Sequence, residues 1–245
     1  MKLHTRIHGD PGASAEREAE RLRRLELPAQ HRRALRWLAP LLILWFIVAT
    51  ALSILLPLSI AALVATGPLW HLLRHIYAPG PAVQRWRAGA AGERRTARVL
   101  RRLNGWALFH DCSLPDSRAN ADHVAVIPDG RGAVLINTKT TRGGGTVRLH
   151  GDTLVIGRSS YPRAVPGTLH ESQSVQRALG VPVHPVIAVD GADVPGGRLE
   201  HRSGLTVVPA SRLHRVLARV PHQPDEAAFR ALVERAAAAL PSYTG

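Results

Sequence analysis

From Trp37 to Leu73 the chain runs WLAPLLILWFIVATALSILLPLSIAALVATGPLWHLL, 37 residues without one Asp, Glu, Lys or Arg. A helix that crosses the hydrocarbon of a bilayer needs about 20 apolar residues to cover roughly 30 Å. The run is too long for one ordinary crossing and long enough for two short ones. Pro57 near its middle is placed to end or break a helix. Arg32, Arg33 and Arg36 precede the run, and Arg74, Arg85 and Arg87 follow it. Positive charge marks the cytoplasmic side of a span, so both ends belong inside. These features predict a transmembrane hairpin over residues 37–74, turning at Leu56-Pro57-Leu58, with Trp37, Trp70 and Tyr77 at the inner interface; a single tilted or kinked span is the alternative. The expected location is the cell membrane, multi-pass, with both termini and the soluble part in the cytoplasm.

The rest of the chain is strongly basic. A formal net charge of +14 points to a polyanionic partner, either nucleic acid or the anionic lipid beside the spans. A single cysteine excludes an internal disulfide framework and a cysteine-built zinc site. An aromatic content of 4 % argues against a stacking platform for single strands.

Residues 1–36 read as a charged, solvated N-terminal segment, with a helix over Ser14–Leu27 stopped by Pro28. Ala78-Pro79-Gly80-Pro81 marks a linker over residues 75–87. A soluble domain follows over 88–220, and then a C-terminal helix within 221–245. The domain opens on a helix over Ala88–Leu103. Strands are expected at 106–111, 123–128 and 133–138, the last two joined by a turn at Asp129-Gly130-Arg131-Gly132. A second hairpin is expected over 146–157. A helix over 167–179 then ends at Gly180, and strands follow at 183–190 and 205–209. Ser211 and Asp225 cap two closing helices. This order predicts an α/β fold around a mixed sheet flanked by helices.

The chemistry concentrates in NADHVAVIPDGRGAVLINTKTT, residues 120–141. It holds Lys139, one of only two lysines in a chain that elsewhere uses arginine. Strand side chains alternate faces, so Asp122, Val124 and Val126 share one face, and Leu135, Asn137 and Lys139 share another. If the two strands are hairpin neighbours, Asp122 and Lys139 meet at the same sheet end. A carboxylate there can hold Mg²⁺ against a scissile phosphate, and an ammonium can stabilise charge developing on it. Lysine, a compact point charge, suits that position better than arginine.

Three short motifs, in order, resemble the nuclease-related domain (NERD) family of the restriction-endonuclease-like PD-(D/E)xK superfamily. They are GAAGE (89–93), NADHVAV (120–126) and AVLINTKTTRGGGTV (133–147). The resemblance implies a restriction-endonuclease-like sheet, a Mg²⁺ or Mn²⁺ cofactor and a nucleic-acid substrate. It implies that Glu93 and Asp122 ligate the metal and that Lys139 is the catalytic lysine. Gln173, on the later helix, is a looser match to a polar position. Gly89 and Gly92 are expected to let the first helix approach the sheet and carry Glu93 over Asp122. The sequence departs from the family where Asn137 stands in place of the motif's Asp or Glu. An amide oxygen ligates hard cations more weakly than a carboxylate. A metal-dependent nuclease of weak sequence specificity and a non-catalytic module that binds nucleic acid or another anion at the membrane are both compatible with these residues. A scaffold that only reads anionic lipid is a third reading.

Overall fold

A computed structural model describes residues 5–54, 57–115 and 119–244. It divides into two units, one of Met1–Glu16 with Trp86–Gly245 and the other of Arg17–Arg85. The division falls within helices α1 (Ala13–Ser53) and α3 (Pro81–Leu100).

The first unit is built on a seven-stranded mixed sheet. In chain order its strands are β1 (Arg6–His8), β2 (Ala107–Ser113), β3 (Asn120–Val126), β4 (Ala133–Thr140), β8 (Val183–Asp190), β9 (Leu199–Glu200) and β10 (Thr206–Pro209). In space they run β1-β2-β3-β4-β8-β10-β9. The β2–β3–β4 meander is antiparallel, and β8 and β10 continue it in parallel. A small sheet of β5 (Val147–His150), β6 (Thr153–Ile156) and β7 (Ser159–Tyr161) fills the connection after β4. It is followed by α4 (Ala164–Leu179).

Helices cover both faces, which is why β3 and β4 read as nearly continuous apolar runs. On one face α4 and α6 (Glu226–Ala239) pack Val175, Leu179, Phe229 and Leu232 against Phe109, Val124 and Leu135. On the other, α3 and α5 (Leu213–Leu217) pack Leu100, Leu213 and Leu217 against Leu108, Ala125 and Ile136. The expected caps are present at two helices. Gly180 takes the left-handed conformation after α4 (φ 66°), and the Asp225 carboxylate accepts the Ala228 N–H at 3.0 Å. Cover thins at the end of β4, where Lys139 and Thr140 are only partly buried.

Several expectations need correcting. The N-terminal segment is not wholly a solvated tail. Arg6–His8 pairs in parallel with Ala107–Phe109 and gives β2 an outer neighbour. Three residues are too few to display a strand period, so the sequence could not announce them. Helix α3 begins at Pro81 rather than Ala88, because proline is well suited to a first turn whose N–H groups lack partners anyway. The linker expected over 75–87 is therefore largely helical. Leu213–Leu217 is entered through a 3₁₀ turn over Ala210–Arg212, so Ser211 is not its cap.

In the second unit, α1 passes Pro28 and Pro40 without ending. A proline removes one backbone donor, and here the chain on either side of Pro28 is held by the same neighbour. Arg23 donates to the Tyr77 carbonyl at 2.7 Å, Gln30 donates to the Ala78 carbonyl at 3.1 Å, and Glu26 accepts the Gly80 N–H at 3.0 Å. Among the described residues α1 is the one helix long and apolar enough to cross a membrane. Its apolar side chains stand exposed, Phe46 at 65 % and Ile43 at 61 %. Pro57 directly precedes α2 (Leu58–Ile76). Leu56 of the expected turn lies outside the described residues.

Candidate active site

At the thinly covered end of β4, four side chains named from sequence come within electrostatic reach of one another. The register pairs Val124 with Leu135 and His123 with Ile136, which carries Asp122 to the level of Asn137 and Thr138. Asp122 Oδ2 accepts the Thr138 N–H at 2.7 Å. Glu93 arrives from α3. A Cβ on Gly92 would overlap the Thr140 hydroxyl, so glycine is what lets the helix press against the strand end. Gly89 has open space around it and plays no such part.

Glu93 is 8 % exposed, and its Oε2 has no partner among the described residues. Burial pushes its carboxyl up to about 9, with the charges of Asp122 and Asp111 adding to the rise. Lys139 and a Gly12 backbone N–H pull the other way. Asp122 is also raised, chiefly by withdrawal from water, and again Lys139 opposes the shift. Lys139 is thus the counter-charge that several carboxyl groups share.

Asn137, 6 % exposed, donates from Nδ2 to Glu171 Oε2 at 2.9 Å. Glu171 comes from α4, and burial together with the charge of Asp122 raises its carboxyl to about 7. Where the motif lacks its carboxylate, the helix packed above the strand supplies one. Sequence reasoning passed over Glu171, although a signal existed. It lies three residues after buried Thr168 and four before buried Val175, on the stripe of α4 that faces the sheet. Gln173, two residues further, is exposed.

Asp111 completes the surroundings. It is buried and held at φ 49°, outside the usual range for a non-glycine residue. Its Oδ2 accepts the Ser14 N–H and its Oδ1 the Asn120 amide, each at 2.7 Å. The N-terminal segment therefore reaches this cluster twice, through Gly12 and Ser14.

Among the described residues, no three His, Cys, Asp or Glu side chains stand close enough together to hold a metal ion by themselves. The donor chemistry nevertheless fits a hard divalent cation. Mg²⁺ is commonly held by one or two carboxylates while keeping several waters. Glu93 Oε2 and Asn137 Oδ1 are buried oxygens without partners among the described residues, and neighbouring carboxylates raise one another, a surplus of negative charge that a cation relieves.

Residues 88–189 match the family model of the nuclease-related domain. No curated protein and no solved structure matches the chain. The matched span takes in Glu93, Asp122, Asn137, Lys139 and Glu171, while β1, Gly12 and Ser14 lie outside it. Over residues 88–189, the chain carries a nuclease-related (NERD) domain.

Proposed function

We propose that this chain is a membrane-anchored nuclease that hydrolyses phosphodiester bonds of nucleic acid with Mg²⁺ or Mn²⁺, on a restriction-endonuclease-like fold facing the cytoplasm. The observation that carries this reading is the Asn137–Glu171 hydrogen bond, which brings a carboxylate back to the position where the motif lost one.

Asp122 and Glu93, with the Asn137 amide oxygen or Glu171, would hold the cation. When bound, it supplies Lewis-acid polarisation of the scissile phosphate and acidifies the attacking water. Lys139 stabilises the charge that builds on the non-bridging oxygens as water attacks and the P–O bond to the leaving group breaks. Glu171, raised to about 7, is matched to accept a proton from that water near neutral pH. Arginines around the domain would draw the polyanion in without reading its bases, so sequence preference is weak.

Membrane anchoring by two spans is supported from both units. The Arg23 and Gln30 bonds to Tyr77 and Ala78, with Trp45 Nε1 3.4 Å from Thr66 Oγ1, fit antiparallel helices joined near Pro57. Residues 6–8 and 107–109 pair in one sheet, which supports a chain that returns to the side from which it entered the membrane, with an even number of crossings. The flanking arginines favour the cytoplasm for that side.

The second reading, a module that binds nucleic acid without cutting it, is favoured by Asn137 and by the lack of a three-ligand cluster among the described residues. Turnover of labelled DNA and RNA by the detergent-solubilised full chain separates the two. Cleavage that needs Mg²⁺ or Mn²⁺ and disappears in Lys139→Ala and Asp122→Ala supports the nuclease. Salt-sensitive binding with no cleavage under any divalent cation supports the binding module.

A further inference from the structure

A second site lies at the opposite end of the sheet from Lys139 and on its other face. It is a cavity of about 770 Å³ beside the β3–β4 turn, within the range of small-ligand pockets. Its floor is aliphatic: Val134 and Val186 of neighbouring strands lie buried beneath it with Leu217, and Ile127, Val216 and Val220 present the accessible apolar surface. Its rim is cationic. Arg215 lies on α5, Arg212 in the 3₁₀ turn that enters it and Arg219 just past its end, and all three line the cavity.

Like charges this close to one another repel. Among the described residues no Asp or Glu lines the cavity. Among the described residues none of the three arginines has an ion pair, although a fourth, Arg198, is neutralised by Glu200 at 2.6 Å. The facing loop is shaped to the same rim. Gly197 is left-handed (φ 75°), and a Cβ there would collide with the Arg212 guanidinium. On the wall, His184 pairs with the Thr206 hydroxyl at 3.0 Å, leaving a polar edge that carries no negative charge.

Three unneutralised guanidinium groups above an aliphatic floor call for a ligand with clustered negative charge at one end and a flat or apolar body at the other. Guanidinium groups are matched to phosphate oxygens by their forked donors. We infer that this cavity is a binding site for a nucleoside polyphosphate, with its phosphates on Arg212, Arg215 and Arg219 and its base against Ile127, Val216 and Val220. The site is independent of the reaction proposed above, since it shares no residue with the Glu93–Lys139 cluster.

The test is equilibrium binding of ATP and GTP to the detergent-solubilised full chain in EDTA, so that no divalent cation recruits nucleotide to the carboxylates. Pyrophosphate, adenosine and a short duplex oligonucleotide are titrated alongside. Saturable nucleotide binding is expected, weaker for pyrophosphate and absent for adenosine. Affinity should fall at least tenfold in R212A/R215A and remain unchanged in Asp122→Asn. These arginines are exposed, and a variant whose unfolding temperature matches the parent's is a valid comparison. No saturable nucleotide binding overturns the inference, as does binding that survives R212A/R215A. If the duplex alone binds and loses affinity in R212A/R215A, the rim is a clamp for nucleic-acid backbone and the small-ligand site is refuted.

Discussion

Asn137 decides how the carboxylate cluster behaves. The Asn137→Asp variant would restore the family's acid but set a carboxylate against Glu171, 2.9 Å from the present amide nitrogen. We expect about tenfold tighter Mg²⁺ or Mn²⁺ binding, the scale on which partners of metal ligands act, and lower stability without the cation. Calorimetric titration and thermal unfolding of the same sample check both halves; unchanged affinity would remove residue 137 from the metal site. The pH dependence has a definite sign. Glu93 at about 9 and Glu171 at about 7 both lie above the ordinary carboxyl value of 4.5. The folded protein keeps protons that the unfolded chain releases, so this contribution is complete below about pH 4.5 and is lost as pH rises through 7 to 9. Without metal, the unfolding temperature should fall between pH 5 and pH 9. Added Mn²⁺ should raise it more at pH 8.5 than at pH 5.5, and a gain independent of pH would exclude these carboxyls as its ligands.

The two glycines of α3 separate a close helix–strand approach from a spacing that merely resembles one. Gly92→Ala places a methyl against Thr140, and we expect a loss of about 1–3 kcal/mol, the usual cost of overpacking. Gly89→Ala meets open space on a helix and should gain about 0.5–1 kcal/mol. Denaturant unfolding of both variants tests the pair, and equal effects would contradict the packing of α3 on β4. Elements of this kind mark the limit of what the sequence discloses. The strands around Val124 and Leu135 were legible because apolar β-branched runs met a glycine turn. The sharing of one sheet end by Asp122 and Lys139 followed from the period of two. The helical spacing put Glu171 on the inner stripe of α4, but which strand that stripe covers, and so its meeting with Asn137, is stated by no local pattern. Helix α1 was cut short at Pro28 because local propensity outweighed contacts with residues 77–80 that lie about fifty positions away.

At the scale of the whole molecule, the matched family segment is not a self-sufficient unit. A protein beginning at residue 82 would lack β1, baring the edge of β2, and would leave Asp111 and Glu93 without their N–H donors from Ser14 and Gly12. It should unfold at lower temperature and aggregate more readily than one in which residues 1–16 are joined to residue 86 by about twelve Gly and Ser residues, a linker with a reach of roughly 20 Å. Equal stability of the two would show β1 to be dispensable. The β1–β2 pairing also imposes an order on biosynthesis. The ribosome makes Arg6 roughly 100 residues before Ala107, its neighbour in the sheet, and the apolar stretch emerges between them. At about 5–20 residues per second, the first strand waits about 5–20 s for its partner. During that interval the first strand has no neighbour in the sheet, and its pairing with β2 has to be made across the whole of the intervening apolar stretch.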